Sequence, residues 1–150
     1  MVKADARNAA TYTKNALALV ERIDALDVEV RQTLAPVKDR PFIVFHDGYQ
    51  YLETAFGLNA VGSITVNPDR MPGARRVALI KDKIKSLNAA CVFAEPQFEP
   101  KLIQTLIEGT TAKTGTLDPE GSTLTAGDGL YFELMRGLAA NLKLCLANAP

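Results

Sequence analysis

The sequence predicts a three-layer α/β/α domain: a four-stranded parallel sheet preceded by a long N-terminal helix. Three observations carry this. Segments of strand character alternate with segments of helical period between residues 41 and 147. The run Ala89–Glu95, AACVFAE, is apolar almost without interruption, as expected of a strand covered on both faces. Residues 4–34 keep a helical period throughout.

In that first helix Tyr12, Ala16, Leu19, Ile23, Leu26, Val30 and Leu34 recur at steps of three and four. Asp27 stands four residues before Arg31, a favourable helical pair, and Pro36 ends the run. Its length, roughly 45 Å at 1.5 Å per residue, exceeds the width of a small domain. Such a helix must overhang its own domain or brace something else.

The alternating units follow. A strand is expected at 41–46, then a helix over 48–57 closed by Gly57. VGSITV at 61–66 reads as a strand and NPDRMPG as a turn-rich loop. Residues 73–87 set Val77, Ile80, Ile84 and Leu87 on one face and Lys and Arg on the other, a surface helix. After the 89–95 strand comes a short helix at 99–108, around Leu102, Ile103, Leu106 and Ile107. AKTGTLD at 112–118 is Thr-rich and suits a sheet edge. A Gly/Thr/Ser loop runs from Pro119 to Gly127. Asp128 is expected to cap the last helix, whose apolar face reads Tyr131, Leu134, Leu138, Leu142 and Cys145.

With 150 residues the chain fits a single domain, 1–150, able to bury a core. Lys plus Arg and Asp plus Glu both number 17, and no long basic run occurs. Nucleic acid is therefore not an expected partner. No apolar stretch approaches the roughly 18 residues of a membrane span, so no membrane insertion is expected. The N-terminal MVKADARNAATYTKN lacks the apolar core of a secretory signal; an exported parent would have lost one.

In open parallel sheets, ligands bind beyond the carboxyl ends of the strands. Three of the four expected strands end on an ionisable group: His46, the only histidine, then Glu95 before Pro96, then Asp118 before Pro119. One imidazole and two carboxylates form a partial coordination set for zinc or manganese. Each residue also has a plainer reading. A strand-end histidine often serves as a structural hydrogen-bonding group, and Asp-Pro and Glu-Pro serve as turn or cap residues. Glu95 could also pair with Arg75 or Arg76. The rival is an enzyme, a small α/β hydrolase or lyase using His46 with Asp118 or Glu95 as acid and base. No G-x-S-x-G, G-x-G-x-x-G or Walker A pattern supports it.

Cys91 lies near the start of its strand, roughly 13 Å below the level of His46, which makes a Cys–His dyad geometrically poor and excludes Cys91 from a metal site at His46. Cys145 shares a helical face with Leu138 and Leu142. A C-terminal helix packed on the third strand would let the two sulfurs meet; otherwise both are buried thiols.

Four segments, PFIVFHDGYQYLE, ITVNPDRMPGARR, AACVFAEPQFEP and GTLDPEG, together resemble the zinc-specific solute-binding proteins of bacterial ABC transporters. The resemblance runs in order from about residue 5 to residue 146 and concerns the C-terminal lobe only. It implies two α/β lobes joined by one long helix, with the metal between them. His46 then matches the histidine ligand of this lobe. Asp118 matches a position that supplies a carboxylate in manganese relatives and lies at the site in zinc ones. Glu95 matches a motif glutamate that stands behind the ligands. Cys91 and Cys145 match a disulfide of the zinc branch. Residues 4–34 match the inter-lobe helix and 41–147 the lobe itself.

The resemblance further implies that the parent is periplasmic, binds zinc, catalyses no reaction and delivers its ion to an ABC permease. The N-terminal lobe, with its further histidines, is the missing partner. One histidine and one or two carboxylates fall short of the four ligands of a tight zinc site, so weak binding is expected. Zinc takes neutral imidazole, so affinity should fall below about pH 6.5. Without the other lobe, residues 4–20 are underpacked, and a homodimer through that face or fraying is expected.

Overall fold

The computed structural model describes residues 1–66, 72–98 and 101–149. A single 3-10 turn, Ala6–Asn8, leads into helix α1, Ala9–Leu34. There follow β1 Phe42–His46, α2 Gln50–Phe56, β2 Ala60–Thr65, α3 Ala74–Ser86, β3 Cys91–Ala94, α4 Lys101–Ile107, β4 Lys113–Thr116 and α5 Leu130–Asn148. The four strands form one sheet in the order β2-β1-β3-β4, and every pairing is parallel. The expected elements are present, most ends within two residues; the first helix starts at Ala9, after the 3-10 turn, rather than at residue 4. Residues 67–71 of the expected loop 67–73 and the first residues of the 99–108 helix lie outside the described residues.

Period-two alternation along the strands divides the core. Phe42, Val44, Cys91 and Phe93 face α1, α2 and α5 in one apolar cluster. Ile43, Phe45, Ile64 and Val92 face α3 and α4 in the other. This is the three-layer arrangement. The Thr-rich β4 is an edge strand, mostly exposed, as its composition suggested.

Helix α1 spans roughly 39 Å at its usual rise, and only its last third is packed. Leu26, Val30 and Leu34 are buried, whereas Leu17, Leu19, Val20 and Ile23 are exposed. The continuous apolar period therefore did not mean continuous burial, because the sheet and α5 reach α1 only from about Arg22 onward. Those turns are tied down by polar contacts as well. Arg31 donates to Asp27 at 2.7 Å and to the Ala55 carbonyl at 2.7 Å, so the expected helical pair forms and reaches α2 besides. Arg136 on α5 makes a forked contact to Glu29, and the Arg22 guanidinium lies 4.1 Å over the Phe132 ring.

The expected face of α5 holds at Leu138, Leu142 and Cys145, with Leu134 packed against the core, and differs at its start. Phe132, Leu138, Ala139, Leu142, Cys145 and Leu146 are buried, while Tyr131 is half exposed. Gly129 rather than Asp128 occupies the N-cap position, and no side chain caps the helix. Gly57 closes α2 in the left-handed conformation (φ 65°), as expected.

Cys91 and Cys145 are joined as a disulfide with Cα atoms 6.3 Å apart. It fastens α5 to the base of β3. Gly115 of β4 lies against it: a Cβ there would come within 2.5 Å of the Phe93 ring and 3.2 Å of the Cys145 Cβ. Glycine is what allows the edge strand to approach.

Candidate metal centre

Strand pairing decides who meets at the rim. Phe42 pairs with Cys91 and Ile43 with Val92. Extending both parallel strands by the same number of residues brings His46 beside Glu95, on the face of α1, α2 and α5. There His46 Nδ1 lies 2.6 Å from Glu95 Oε1. The Tyr49 hydroxyl donates to the same oxygen at 3.0 Å. Glu95 is almost fully buried (3% exposed), so its charge requires such partners. An ionised carboxylate can only accept, so this contact favours the neutral ring with its proton on Nδ1, the form that keeps a lone pair on Nε2. That is the tautomer a metal ligand needs.

The turn after β1 shapes the ring's seat. The Gly48 amide donates to the His46 carbonyl at 2.9 Å, folding the chain back under the imidazole. A Cβ at Gly48 would clash with Nε2 of His46. The ring can occupy this position only because residue 48 has no side chain. Tyr49 is buried below it, its ring centroid 5.7 Å from that of the imidazole. Burial, then the Glu95 charge and the hydrogen bond to it, push the Tyr49 hydroxyl well above its ordinary range. It therefore stays protonated, as a donor must.

Asp118 is on the same rim but in a different company. Leu117 is the residue level with Glu95: its amide donates to the Ala94 carbonyl, and its side chain is buried in the α1/α5 cluster. Asp118 falls one position beyond. Its carboxylate accepts from Ser122 Oγ at 2.9 Å and Gln97 Nε2 at 3.2 Å. Burial alone would raise this carboxyl; these bonds, with the Ser122 and Glu120 amides, outweigh it and hold Asp118 below the usual carboxylate range. Among the described residues, no three of His, Cys, Asp and Glu gather closely enough to hold an ion by themselves. The pairing of Glu95 with Arg75 or Arg76 is not formed. Arg76 instead binds the Ile64 and Ser63 carbonyls.

The rim is acidic. Asp47 follows His46, and Glu53 on α2 stands near it. Burial first, then the Asp47 charge, raise the Glu53 carboxyl. A raised carboxyl stabilises the fold below the unfolded pKa, and that stability is lost as pH rises through the folded value. Glu53→Gln should therefore increase stability above about pH 5, by less than about 1 kcal/mol given its partial exposure, and change nothing below about pH 4. Thermal melts at the two pH values would check it; a loss of stability at pH 7 would contradict it.

Sequence reading located His46, Glu95 and Asp118 but not Tyr49, Gln97 or Ser122. Tyr49 carried one usable signal, a buried-type aromatic three residues after the histidine in a turn.

The model of the family described as "Zinc-uptake complex component A periplasmic" (ZnuA) matches residues 1–145. The chain belongs to the ZnuA family. The high-affinity zinc uptake system protein ZnuA of Brucella suis is 58% identical over 145 residues, covering 97% of this chain and 43% of that protein. The chain thus spans less than half the length of the curated relatives it matches. Among solved structures, a ZnuA is superposed over 97% of this chain and 52% of its own, at TM-score 0.78 and 26% identity. A laminin-binding adhesin of Streptococcus agalactiae reaches TM-score 0.80 at 27% identity, over 97% of this chain and 55% of that one. The ZnuA family is a periplasmic zinc-uptake family by its description. Neither the family nor the site supports the hydrolase or lyase reading. No helix among the described residues is long and apolar enough to cross a membrane.

Proposed function

We propose that this chain is the zinc-binding C-terminal lobe of a periplasmic solute-binding protein that captures zinc and passes it to an ABC permease. The proposal covers 41–147 as the lobe and 4–34 as the helix leading to a second lobe. The observation that carries it is the strand-end imidazole of His46, its Nδ1 fixed by the buried Glu95, which leaves Nε2 as donor atom at an acidic rim. Imidazole and carboxylate are suitable ligand types for zinc. His46 supplies one ligand. Asp118 joins only by exchanging Ser122 or Gln97 for the ion, or else orients the site from behind. The remaining ligands come from the second lobe, which also covers the exposed apolar residues of α1. Binding and release are the whole activity, since among the described residues no nucleophile accompanies His46.

Because the ligand set is incomplete, calorimetry on the metal-free chain should give a zinc dissociation constant of about 1 µM or weaker. Light scattering on the same sample should show self-association through residues 4–20, where Leu17 and Leu19 are uncovered, or else amide exchange should show residues 4–14 frayed. Nanomolar binding by a monomer with residues 4–14 fully protected would overturn both readings.

A further inference from the structure

We propose that Tyr49 is a positioning residue for the metal-binding imidazole: its hydroxyl pins the Glu95 carboxylate in place, and Glu95 in turn fixes the tautomer of His46. As a statement about zinc affinity this rests on the function proposed above; as a statement about the tautomer it stands alone.

Three observations carry it. First, both donors converge on one atom. Tyr49 Oη at 3.0 Å and His46 Nδ1 at 2.6 Å share Glu95 Oε1. Second, the three side chains differ in stiffness. A glutamate has three rotatable bonds, whereas the phenol is held by burial at 4% exposure. The tyrosine is the rigid end of the chain of contacts, and the imidazole, a quarter exposed, is the free end. Third, the Glu95 carboxyl is buried and both of these contacts fall on one of its oxygens. Losing one donor leaves part of its solvation unreplaced, and the flexible side chain relieves that by moving toward the open rim. The Nδ1 contact then loosens, and the neutral ring can carry its proton on either nitrogen. Only one of these forms presents Nε2 to an ion.

The spacing explains why these residues occur together. His46 is the last residue of β1, and the Gly48 turn brings residue 49 back beneath it at the start of α2. Tyr49 thereby reaches the neighbouring strand's Glu95 from the same side as the imidazole. Tyr51, two residues on, is 94% exposed and outside this network.

Tyr49→Phe removes the hydroxyl and keeps the ring. His46 is the only histidine in the chain, so nitrogen-15 spectra of histidine-labelled protein report this one imidazole. Metal-free wild-type protein should show a single tautomer protonated on Nδ1. Tyr49→Phe should show a mixture of tautomers, with zinc affinity reduced on the order of tenfold, the lower range for removal of groups behind a ligand. Tyr51→Phe should change neither. A thermal melt confirms that each variant is folded. An unchanged Nδ1–H tautomer in Tyr49→Phe overturns the proposal whatever zinc does, as does a tautomer mixture already present in the wild type. A wild type that binds no zinc, with the tautomer nonetheless shifted in Tyr49→Phe, would overturn the zinc reading and support this one.

Discussion

His46→Ala should reduce zinc affinity more than about 100-fold, a larger loss than that of groups standing behind a ligand. A micromolar constant would move beyond about 100 µM, below the reach of ordinary calorimetry. The reason is that the remaining rim groups are carboxylates and none of them replaces an imidazole. The chain has no second histidine, Glu95 is buried and engaged, and Asp118 is held by Ser122 and Gln97. The fold should survive, since the imidazole is partly exposed and the apolar residues of β1 below it are untouched. Glu95 keeps its bond from Tyr49. Competition with a zinc-binding dye, alongside a melting curve, separates lost binding from lost folding. Wild-type affinity in a folded His46→Ala protein would remove the metal site from the β1 rim.

Replacing both Cys91 and Cys145 with alanine should cost about 4 kcal/mol of stability, from the entropy returned to an unfolded chain whose cross-linked residues are 54 apart in sequence. For a chain of this size that corresponds to a fall of roughly 8–16 °C in melting temperature. The cross-link ties α5 to β3, and through α5 the packed end of α1, so the loss should spread across the whole α1/α5 layer. Zinc binding should be nearly unaffected below the transition, because Cys91 begins β3 and lies roughly 13 Å from the level of His46. Denatured protein prepared without reductant should titrate no thiol. A stability change under about 1 kcal/mol, or two reactive thiols, would contradict this.

Much of the architecture was legible because strand and helix periods differ and alternate. The continuous apolar run marked β3 as a strand covered on both faces, and its Thr-rich composition suited β4 to an edge, as the sheet order shows. The rule that parallel strands deliver their ends to one rim placed His46, Glu95 and Asp118 on the same side of the molecule. The apolar face of α5 was read one residue away at its start, as Tyr131 rather than Phe132. Periodicity does not reveal that Arg22 of α1 would lie across the Phe132 ring. The exposed first half of α1 shows the same limit: an apolar stripe states what a helix can bury, not what is present to bury it.

The chain by itself determined the order of the elements, the parallel sheet, the cysteine that begins β3 and the histidine that ends β1. These follow from local periodicity and from chain connectivity. Only the tertiary structure decided which rim groups touch. The pairing of Phe42 with Cys91 carries His46 to Glu95, while the pairing of β3 with β4 puts buried Leu117 at that level and moves Asp118 one step past it. Register is a relation between strands, and a shift of one residue reverses the face to which a side chain belongs.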